Sequence, residues 1–294
     1  MKTNIIINKD CIEGMKELPE NSINLVVTSP PYSDVLYYGE SVKTFSSDKY
    51  IPWITEVAKE IQRILTPDGS FIFNIGNKTD NGTRSLYVME TVLAFVREGK
   101  LELHDEYFWL KNAMPNGNER RLHNEVEYIY HFVKTPNRFK CNMDDVREQY
   151  SDHHKNAMNK KQRMNSNKIV RKDGTSYQPP KRVRKELNPL GKIPNNIFHF
   201  PTAATDRHKG VTVKHPAPFH RKLPEWYIRW LTDPGDIVLD PFMGSGTTAE
   251  AAIALNRNYL GFEINQTYLD LAEYKIQHAS TVQVKETDTS LLEF

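Results

Sequence analysis

The part of the sequence that most constrains the fold is a glycine loop, Asp240–Ala249, set between an apolar run and an Ala-rich segment. The apolar run, Asp236–Asp240, is typical of a buried strand, and Thr247–Leu255 is typical of a helix. Gly244 and Gly246, with the alanine that closes the loop, match the pattern G-x-G-x-x-G/A. Missing side chains there let backbone approach a bound nucleotide, so the loop predicts a nucleotide site between a strand and a helix.

An acidic residue follows the loop at a distance that strengthens this prediction. Glu263 comes 19 residues after Gly244, at the end of the next predicted strand, Tyr259–Phe262. A carboxylate in that place can accept hydrogen bonds from ribose hydroxyls. The loop alone leaves the nucleotide open, because a dinucleotide and S-adenosylmethionine need the same glycines and the same acid.

Strands and helices alternate on both sides of a polar middle segment, which predicts an α/β fold with a mostly parallel, twisted sheet and helices on both faces. Two later strands, Glu106–Leu110 and Glu127–Val133, are expected to be antiparallel neighbours. Pro67–Gly69 predicts a turn that ends the helix before it. The other predicted strands are Asn4–Ile7, Ile23–Val27 and Ser70–Ile75, and the other predicted helices are Ile51–Leu65, Leu86–Val96, Pro224–Leu231 and Gln266–His278.

A second motif, Ser29-Pro30-Pro31-Tyr32, comes directly after the predicted strand Ile23–Val27 and one threonine. The carboxyl ends of strands are where ligands bind in open α/β sheets. Both prolines lack an N–H and have a fixed φ, so their carbonyls have little freedom and no neighbouring donor. With a hydroxyl acceptor and a flat ring beside them, the site suits a planar group that carries an exocyclic amine, such as a nucleobase.

The net charge of +2 hides a strongly basic segment in the middle of the chain. Residues 135–200 contain 15 Lys and Arg against 6 Asp and Glu, while the remainder contains 24 against 31. Because cations that neutralise phosphates supply much of the affinity for nucleic acid, the segment is a candidate DNA or RNA footprint. The alternative is a solvated insert without a fixed structure. Its densest basic cluster is Lys181, Arg182, Arg184 and Lys185.

Composition narrows the class of protein further. No run approaches the roughly 18 apolar residues that a membrane span needs, and the start of the chain lacks the apolar region of a signal peptide. Cys11 and Cys141 are too few and too far apart to predict a disulfide framework or a metal site. The expectation is a cytoplasmic enzyme without a metal.

Together the two motifs resemble those of the DNA amino-methyltransferases, which use S-adenosylmethionine to methylate exocyclic nitrogens of cytosine or adenine. That family combines an Asp/Asn/Ser-Pro-Pro-aromatic tetrapeptide with a glycine loop of the type Asp-Pro-Phe-x-Gly-x-Gly. Both are present, at Ser29–Tyr32 and Asp240–Gly246. Their order, with the catalytic motif first and the cofactor loop last, resembles the beta arrangement of the family. The resemblance covers residues 4–134 and 190–279.

The resemblance implies a Rossmann-like methyltransferase fold in a permuted motif order, with S-adenosylmethionine as the cofactor. Residues 1–134 would form the catalytic half, 135–200 a basic target-recognition insert and 201–294 the cofactor-binding half. Within the family pattern, an acid after the first strand holds the adenine amine, and a segment ending in Phe219 closes over the methionine part. The residues expected to bind cofactor are Asp10, Phe219, Asp240, Phe242, Gly244, Ser245, Gly246, Thr247 and Glu263.

The resemblance also implies a catalytic set, Ser29, Pro30, Pro31 and Tyr32. Serine in the first position is more often associated with cytosine N4 and aspartate with adenine N6, so cytosine is preferred and adenine is the alternative. The target base has to leave the duplex to be reached. Tyr32 would stack on it, while the Ser29 hydroxyl and the Pro30 carbonyl hold its amine.

Several questions about partners stay open in the sequence. The family usually protects host DNA from a restriction endonuclease, a functional partner that needs no physical contact, and a homodimer is an open alternative. The basic cluster is the candidate for contacts with double-stranded DNA. Two rivals come from other classes, an NAD-dependent oxidoreductase and a non-catalytic nucleic-acid binder. The first leaves Ser-Pro-Pro-Tyr and the basic insert unexplained, and the second is tested by whether any methyl transfer occurs.

Overall fold

The computed structural model describes residues 1–31, 47–80, 82–111, 120–152, 169–170, 176–177, 187–200 and 220–279. The chain divides into two compact units, Met1–Asp145 with Asn195–Glu286, and Val146–Pro194 with Thr287–Phe294. In the second unit, Glu148 and Lys192 form a β-bridge. The functional division into catalytic half, recognition insert and cofactor half stays a prediction.

Eight strands of the first unit form one sheet. The strands in the described ranges are β1 (Ile5–Ile7), β2 (Ile23–Thr28), β3 (Leu65–Ile75), β4 (Thr79–Asp80), β5 (Thr83–Arg84), β6 (Glu102–Leu110), β7 (Val126–Val133), β8 (Ile169–Val170), β9 (Ser176–Tyr177), β10 (Ile197–His199), β11 (Ile237–Asp240) and β12 (Asn258–Phe262). The order in the large sheet is β1-β12-β11-β2-β3-β7-β6-β10, and β4–β5 and β8–β9 are separate pairs. Within the large sheet β7 alone runs against its neighbours, so the sheet is mostly parallel.

Helices cover both faces of this sheet. Those in the described residues are α1 (Cys11–Lys16), α2 (Ser47–Ile64), α3 (Tyr87–Arg97), α4 (Lys222–Leu231), α5 (Thr247–Ala254) and α6 (Gln266–Ala279). The first three pack in succession, as do the last three. Among the described residues, the main apolar cluster contains side chains of α1, α2 and α3 but none of α4, α5 or α6. The last three helices therefore lie on the opposite face of the sheet. The predicted α/β class is therefore confirmed.

Apolar side chains on alternate positions of β3 explain how this strand packs. Phe71 and Phe73 point to the same face, because successive side chains of a strand alternate. Both rings contact Phe95 of α3, with centroid separations of 5.8 and 4.9 Å, and Phe71 also stacks on Phe132 of β7 at 5.7 Å. Full burial of each ring contributes about 1.5–3 kcal/mol, so this cluster fixes α3 against the sheet.

The helix before Pro67–Gly69 ends at Ile64, as the predicted turn requires, but the predicted start of the third strand at Ser70 is wrong. Strand β3 already begins at Leu65, opposite Ile23, and the next aligned pair is Leu25 with Ser70. The extra residues of β3 are taken up in a bulge-like irregularity, which bends a strand without ending it. The predicted antiparallel pairing of the strands around Glu106 and Glu127 is confirmed.

Strand β10 is an element that the sequence did not predict. It lies at the edge of the sheet, parallel to β6, with Ile197 opposite Phe108. The indole N–H of Trp109 donates to the carbonyl of Phe200 at 2.8 Å, just after the strand.

No helix within the described ranges is long and apolar enough to cross a membrane.

Candidate active site

Five neighbouring parallel strands bring the candidate residues to one edge of the sheet. In spatial order, Asp10 follows β1, Glu263 follows β12, Asp240 ends β11, Ser29 follows β2 and Asn74 lies near the end of β3. The strand order reverses between β11 and β2, since β2 leads to β3 on one side and β11 leads to β12 on the other. Ligands of open α/β sheets bind at such a reversal.

A buried carboxylate, Asp240, bridges the two strands at this reversal. Its Oδ1 accepts from the Thr28 hydroxyl at 2.6 Å and from the Phe242 N–H at 3.0 Å. Its Oδ2 accepts from the Thr248 hydroxyl at 2.6 Å. Burial raises the pKa of Asp240 to about 6, although these three hydrogen bonds act in the opposite direction. The residue before Ser29 is thus joined to the first residue of the glycine loop.

The glycine loop has the backbone that its sequence predicts. Gly244 and Gly246 have φ values of 53° and 86°, in the left-handed region that glycine adopts without strain. A Cβ on Gly246 would lie 2.9 Å from the Cβ of Ala272 on α6, closer than real Cβ atoms approach. Both conformation and space therefore require glycine at position 246.

Glu263 closes the loop from the neighbouring strand. Its Oε2 accepts from the N–H of Gly244 at 2.8 Å, and its Oε1 accepts from the N–H of Asn265 at 2.7 Å. The side chain is buried, and burial raises the pKa of this carboxyl above its ordinary value. Since each carboxylate oxygen has two lone pairs, both oxygens can still accept a hydroxyl hydrogen.

Asp10 caps a short helix at the outer end of this row. Its Oδ1 accepts from the backbone N–H groups of Ile12 and Glu13, at 2.9 and 3.2 Å. This N-cap fixes the direction of an exposed carboxylate beside the ends of β1 and β12. The sequence singled out Asp10 through the family pattern, and the structure adds its role as a cap.

The remaining described residues of the loop pack against helices on both faces. The ring of Phe242 contacts Trp53 of α2 at a centroid separation of 5.5 Å. The hydroxyl of Ser245 accepts from Nζ of Lys275 on α6 at 3.4 Å. Thr247 is the first residue of α5 and is half-buried.

The Ser-Pro-Pro motif lies at the end of β2, as predicted. Ser29 and Pro31 are half-buried and Pro30 is buried. The Ser29 hydroxyl lies 3.4 Å from Nδ2 of Asn74, which is itself buried. The structure places Asn74 within β3, beside Ser29.

Sequence reasoning missed the side chains that hold these residues in place. Thr248 was seen only as part of a helix, and its contact with Asp240 gave no sequence signal. Glu127 of β7 and Lys111 after β6 form an ion pair at 2.5 Å behind Asn74. The available signal was a charged residue near the start of a mostly apolar strand, as Glu127 is in Val126–Val133.

Some predicted site residues lie outside the described residues. These are Tyr32 of the catalytic motif, Phe219 of the cofactor segment, and the basic cluster Lys181, Arg182, Arg184 and Lys185.

A Rossmann-like sheet with a glycine loop and an acid at its carboxyl edge defines a nucleotide-binding α/β protein. The model of one family, N6_N4_Mtase, described as DNA methylase, matches residues 23–274. The chain belongs to this DNA methylase family. The family resemblance read from the two motifs is therefore confirmed.

Individual relatives extend the comparison over nearly the whole chain. The type II methyltransferase M.BglII of Bacillus subtilis is 30% identical over 92% of this chain and 68% of its own length. The structure of PvuII DNA methyltransferase, a cytosine-N4-specific enzyme, covers 96% of this chain and 92% of its own, with 24% identity and a TM-score of 0.67. That of a DNA modification methylase from Thermus thermophilus, complexed with S-adenosyl-L-methionine, covers 92% and 91%, with 21% identity and a TM-score of 0.59. The methyltransferase form of the Rossmann-like fold is shared with both structures.

Proposed function

We propose that this protein transfers a methyl group from S-adenosylmethionine to the exocyclic N4 amine of cytosine in a specific double-stranded DNA sequence. The observation that carries the proposal is the hydrogen bond between Thr28 and Asp240, where the strand order reverses. It joins the strand that leads into Ser29-Pro30 to the strand that leads into the glycine loop. A methyl donor and a base amine require two such adjoining sites.

The residues around the loop suit S-adenosylmethionine. Gly244 and Gly246 offer backbone without side chains, and Glu263 offers two acceptor oxygens for ribose hydroxyls. In the proposal, Asp10 accepts from the adenine amine. When bound, the cofactor supplies an electrophilic methyl group on a sulfonium. The remaining members of the proposed cofactor set are Phe219, Asp240, Phe242, Ser245 and Thr247.

In the proposed mechanism, Ser29 Oγ and the Pro30 carbonyl accept hydrogen bonds from the two N–H groups of the target amine. The amine lone pair is delocalised into the base, so these acceptors favour a more tetrahedral, more nucleophilic nitrogen. As the nitrogen takes the methyl group and becomes positively charged, the same oxygens stabilise it, and one of its two hydrogens then leaves as a proton. Pro31 stiffens the turn, and Tyr32 stacks on the extruded base. Stacking of about 1–3 kcal/mol offsets part of the few kcal/mol that extrusion costs.

Serine at position 29 supports cytosine over adenine as the target. Serine has a neutral hydroxyl. In the family pattern, serine at this position is associated with cytosine N4. Methylation of adenine N6 is the alternative, because the name of the matching family covers both N6 and N4 chemistry.

The basic segment supports double-stranded DNA as the macromolecular partner. In the proposal, residues 135–200 form the recognition insert, and Lys181, Arg182, Arg184 and Lys185 contact phosphates or guanine edges. The proposed setting is the bacterial cytoplasm, where the methyl group protects DNA from a restriction endonuclease without contact between the two enzymes. A homodimer is compatible with this role.

Mass spectrometry of nucleosides tests the proposal directly. DNA that is diverse enough to contain any short recognition site is incubated with the protein and S-adenosylmethionine. It is then digested, and its nucleosides are analysed. N4-methylcytosine is expected, and Ser29→Ala should lower its yield while calorimetry shows unchanged cofactor affinity. N6-methyladenine would refute the choice of base, and the absence of both products would overturn the proposed reaction.

A further inference from the structure

A chain of hydrogen-bonded polar side chains runs from Ser29 across the neighbouring strands. Nδ2 of Asn74 lies 3.4 Å from Ser29 Oγ and 2.8 Å from Oε2 of Glu127 on β7. The other carboxylate oxygen of Glu127 accepts from Nζ of Lys111 at 2.5 Å. Because β7 runs against its neighbours, its first residues lie at the same edge as the last residues of β3 and β6.

Burial gives this row of hydrogen-bonded side chains a cost in free energy that a purely structural role would not explain. Asn74 is only 1% exposed and Glu127 only 8% exposed. The neighbours of Asn74 on β3, Phe73 and Ile75, are apolar and fully buried. Taking an ion pair out of water costs free energy that its Coulomb attraction only partly offsets, and apolar replacements are often as stable or more stable. Stability therefore gives only a weak reason for these polar residues.

The carboxylate determines which end of the Asn74 amide faces Ser29. An ionised carboxylate only accepts hydrogen bonds, so Glu127 requires Asn74 to present Nδ2. The second N–H of the same nitrogen points to Ser29 Oγ, which acts as the acceptor in that contact. An N–H fixed in this way restrains the rotamer and the donor–acceptor sense of the Ser29 hydroxyl.

We infer that Asn74, Glu127 and Lys111 are positioning residues that orient the Ser29 hydroxyl for the target amine. The inference rests on the proposed function, in which Ser29 Oγ accepts from that amine. Asn74 holds the hydroxyl, Glu127 sets the sense of the Asn74 amide, and Lys111 compensates the buried charge. The separation of 3.4 Å is long for a hydrogen bond, and catalytic hydrogen bonds often shorten only in the reactive complex.

The first variant that tests the inference is Glu127→Gln. Lys111 would donate to the amide oxygen of the glutamine at position 127. The NH2 group of that glutamine would then face Nδ2 of Asn74, and two donors cannot form a hydrogen bond with each other. Asn74 would then turn over or move away, and Ser29 would lose its fixed N–H. We expect kcat for methyl transfer to fall by up to about 100-fold, the loss that misplacement by an ångström can cause. The Kd for S-adenosylmethionine, measured by calorimetry, should stay within about twofold, because the changed contact does not touch the glycine loop.

A second substitution should restore what the first removes. In the double variant Lys111→Met/Glu127→Gln, no cation competes for the glutamine oxygen, which can again accept from Asn74. We expect kcat to recover to within a few-fold of the wild-type value. A purely structural role predicts the reverse, since the double variant would lose two polar residues in place of one. The double variant also leaves no unpaired buried charge, which guards against failure to fold.

Two further measurements separate this inference from its alternatives. In the Ser29→Ala background, Glu127→Gln should have no further effect on kcat, because the network acts through Ser29. Glu60→Gln is the matched control, since it neutralises the partner of Arg63, 2.9 Å away, near the end of α2 at the opposite edge of the sheet. An inactive wild-type protein would refute the proposed function. An active wild type with undiminished kcat in Glu127→Gln, an equal loss in the Ser29→Ala background, or a double variant slower than the single one would overturn the inference alone.

Discussion

Thr28→Val should destabilise the protein in a way that depends on pH. The valine keeps the shape of threonine in β2 but removes the 2.6 Å hydrogen bond to the buried Asp240 carboxylate. A hydrogen bond to a charged group contributes about 1.5–3 kcal/mol, against about 0.5–1.5 kcal/mol for one between neutral groups. The expected loss in free energy of unfolding at pH 8, where Asp240 is ionised, is therefore about 2 kcal/mol.

The loss should shrink as the pH falls through 6. Burial raises the pKa of Asp240 from 3.8 to about 6 in the folded protein, so protonation stabilises the fold as the pH falls through that value. Without the Thr28 hydroxyl, which lowers this pKa, the variant gains more from the proton than the wild type does. At pH 5 the difference between the two should be about 1 kcal/mol, the value of a neutral hydrogen bond.

Urea unfolding followed by circular dichroism at pH 8 and pH 5 measures both quantities. Thr91→Val is the matched control, because the buried Thr91 hydroxyl donates to the neutral Tyr87 carbonyl at 2.7 Å. Its cost should be about 1 kcal/mol at both pH values. The reasoning fails if Thr28→Val costs the same at pH 5 as at pH 8, or no more than the control at pH 8.

Three other changes test the glycine loop and the basic cluster. Gly246→Ala should abolish most cofactor-induced thermal stabilisation, because its Cβ meets Ala272, whereas Gly235→Ala, with φ of 91° but nothing within 4 Å, should retain it. Glu263→Gln should weaken S-adenosylmethionine binding by about 10- to 100-fold in calorimetry, the value of a hydrogen bond to a charged group. Because the pKa of Glu263 is raised by burial, wild-type affinity should fall on acidification above the ordinary carboxyl range. The variant should lose less affinity over this range, since among the described residues only Asp240, with a pKa of about 6, still titrates there beside the loop. Replacing both Lys181 and Arg182 with alanine should reduce the slope of log affinity for DNA against log salt by about 2, and an unchanged slope would exclude the two residues from phosphate contact.

Local patterns predicted most of the large sheet and its helices. The helix predicted over Leu86–Val96 was found at Tyr87–Arg97, and the strand predicted at Ile23–Val27 was found at Ile23–Thr28, because apolar periodicity there matches burial. The turn signal at Pro67–Gly69 correctly predicted the end of the helix, but not the start of the strand, because β3 includes these residues as an irregularity in its pairing with β2. Strand β10 has only three residues, too few for a periodic signal.

The candidate site was predictable where a motif is contiguous and unpredictable where contacts cross the chain. The glycine loop and Ser29-Pro30 were visible because each is a short stretch with a known backbone requirement. The bond from Thr28 to Asp240 joins residues 212 apart, and no local pattern reports such a pair. Likewise, Glu127 faces Asn74 only because β7 is reversed and in register with β3, which tertiary structure alone determines.

The parallel pairing of β2 with β11 at the centre of the sheet has a consequence for synthesis on the ribosome. β2 ends 212 residues before its partner Asp240 is reached, an interval of about 10–40 s at ordinary translation rates. Throughout that interval, one side of β2 has no strand to pair with, and an unpaired apolar strand edge is a template for aggregation. The nascent chain therefore depends on shielding of this edge until the last fifth of the protein emerges and joins the two halves of the sheet.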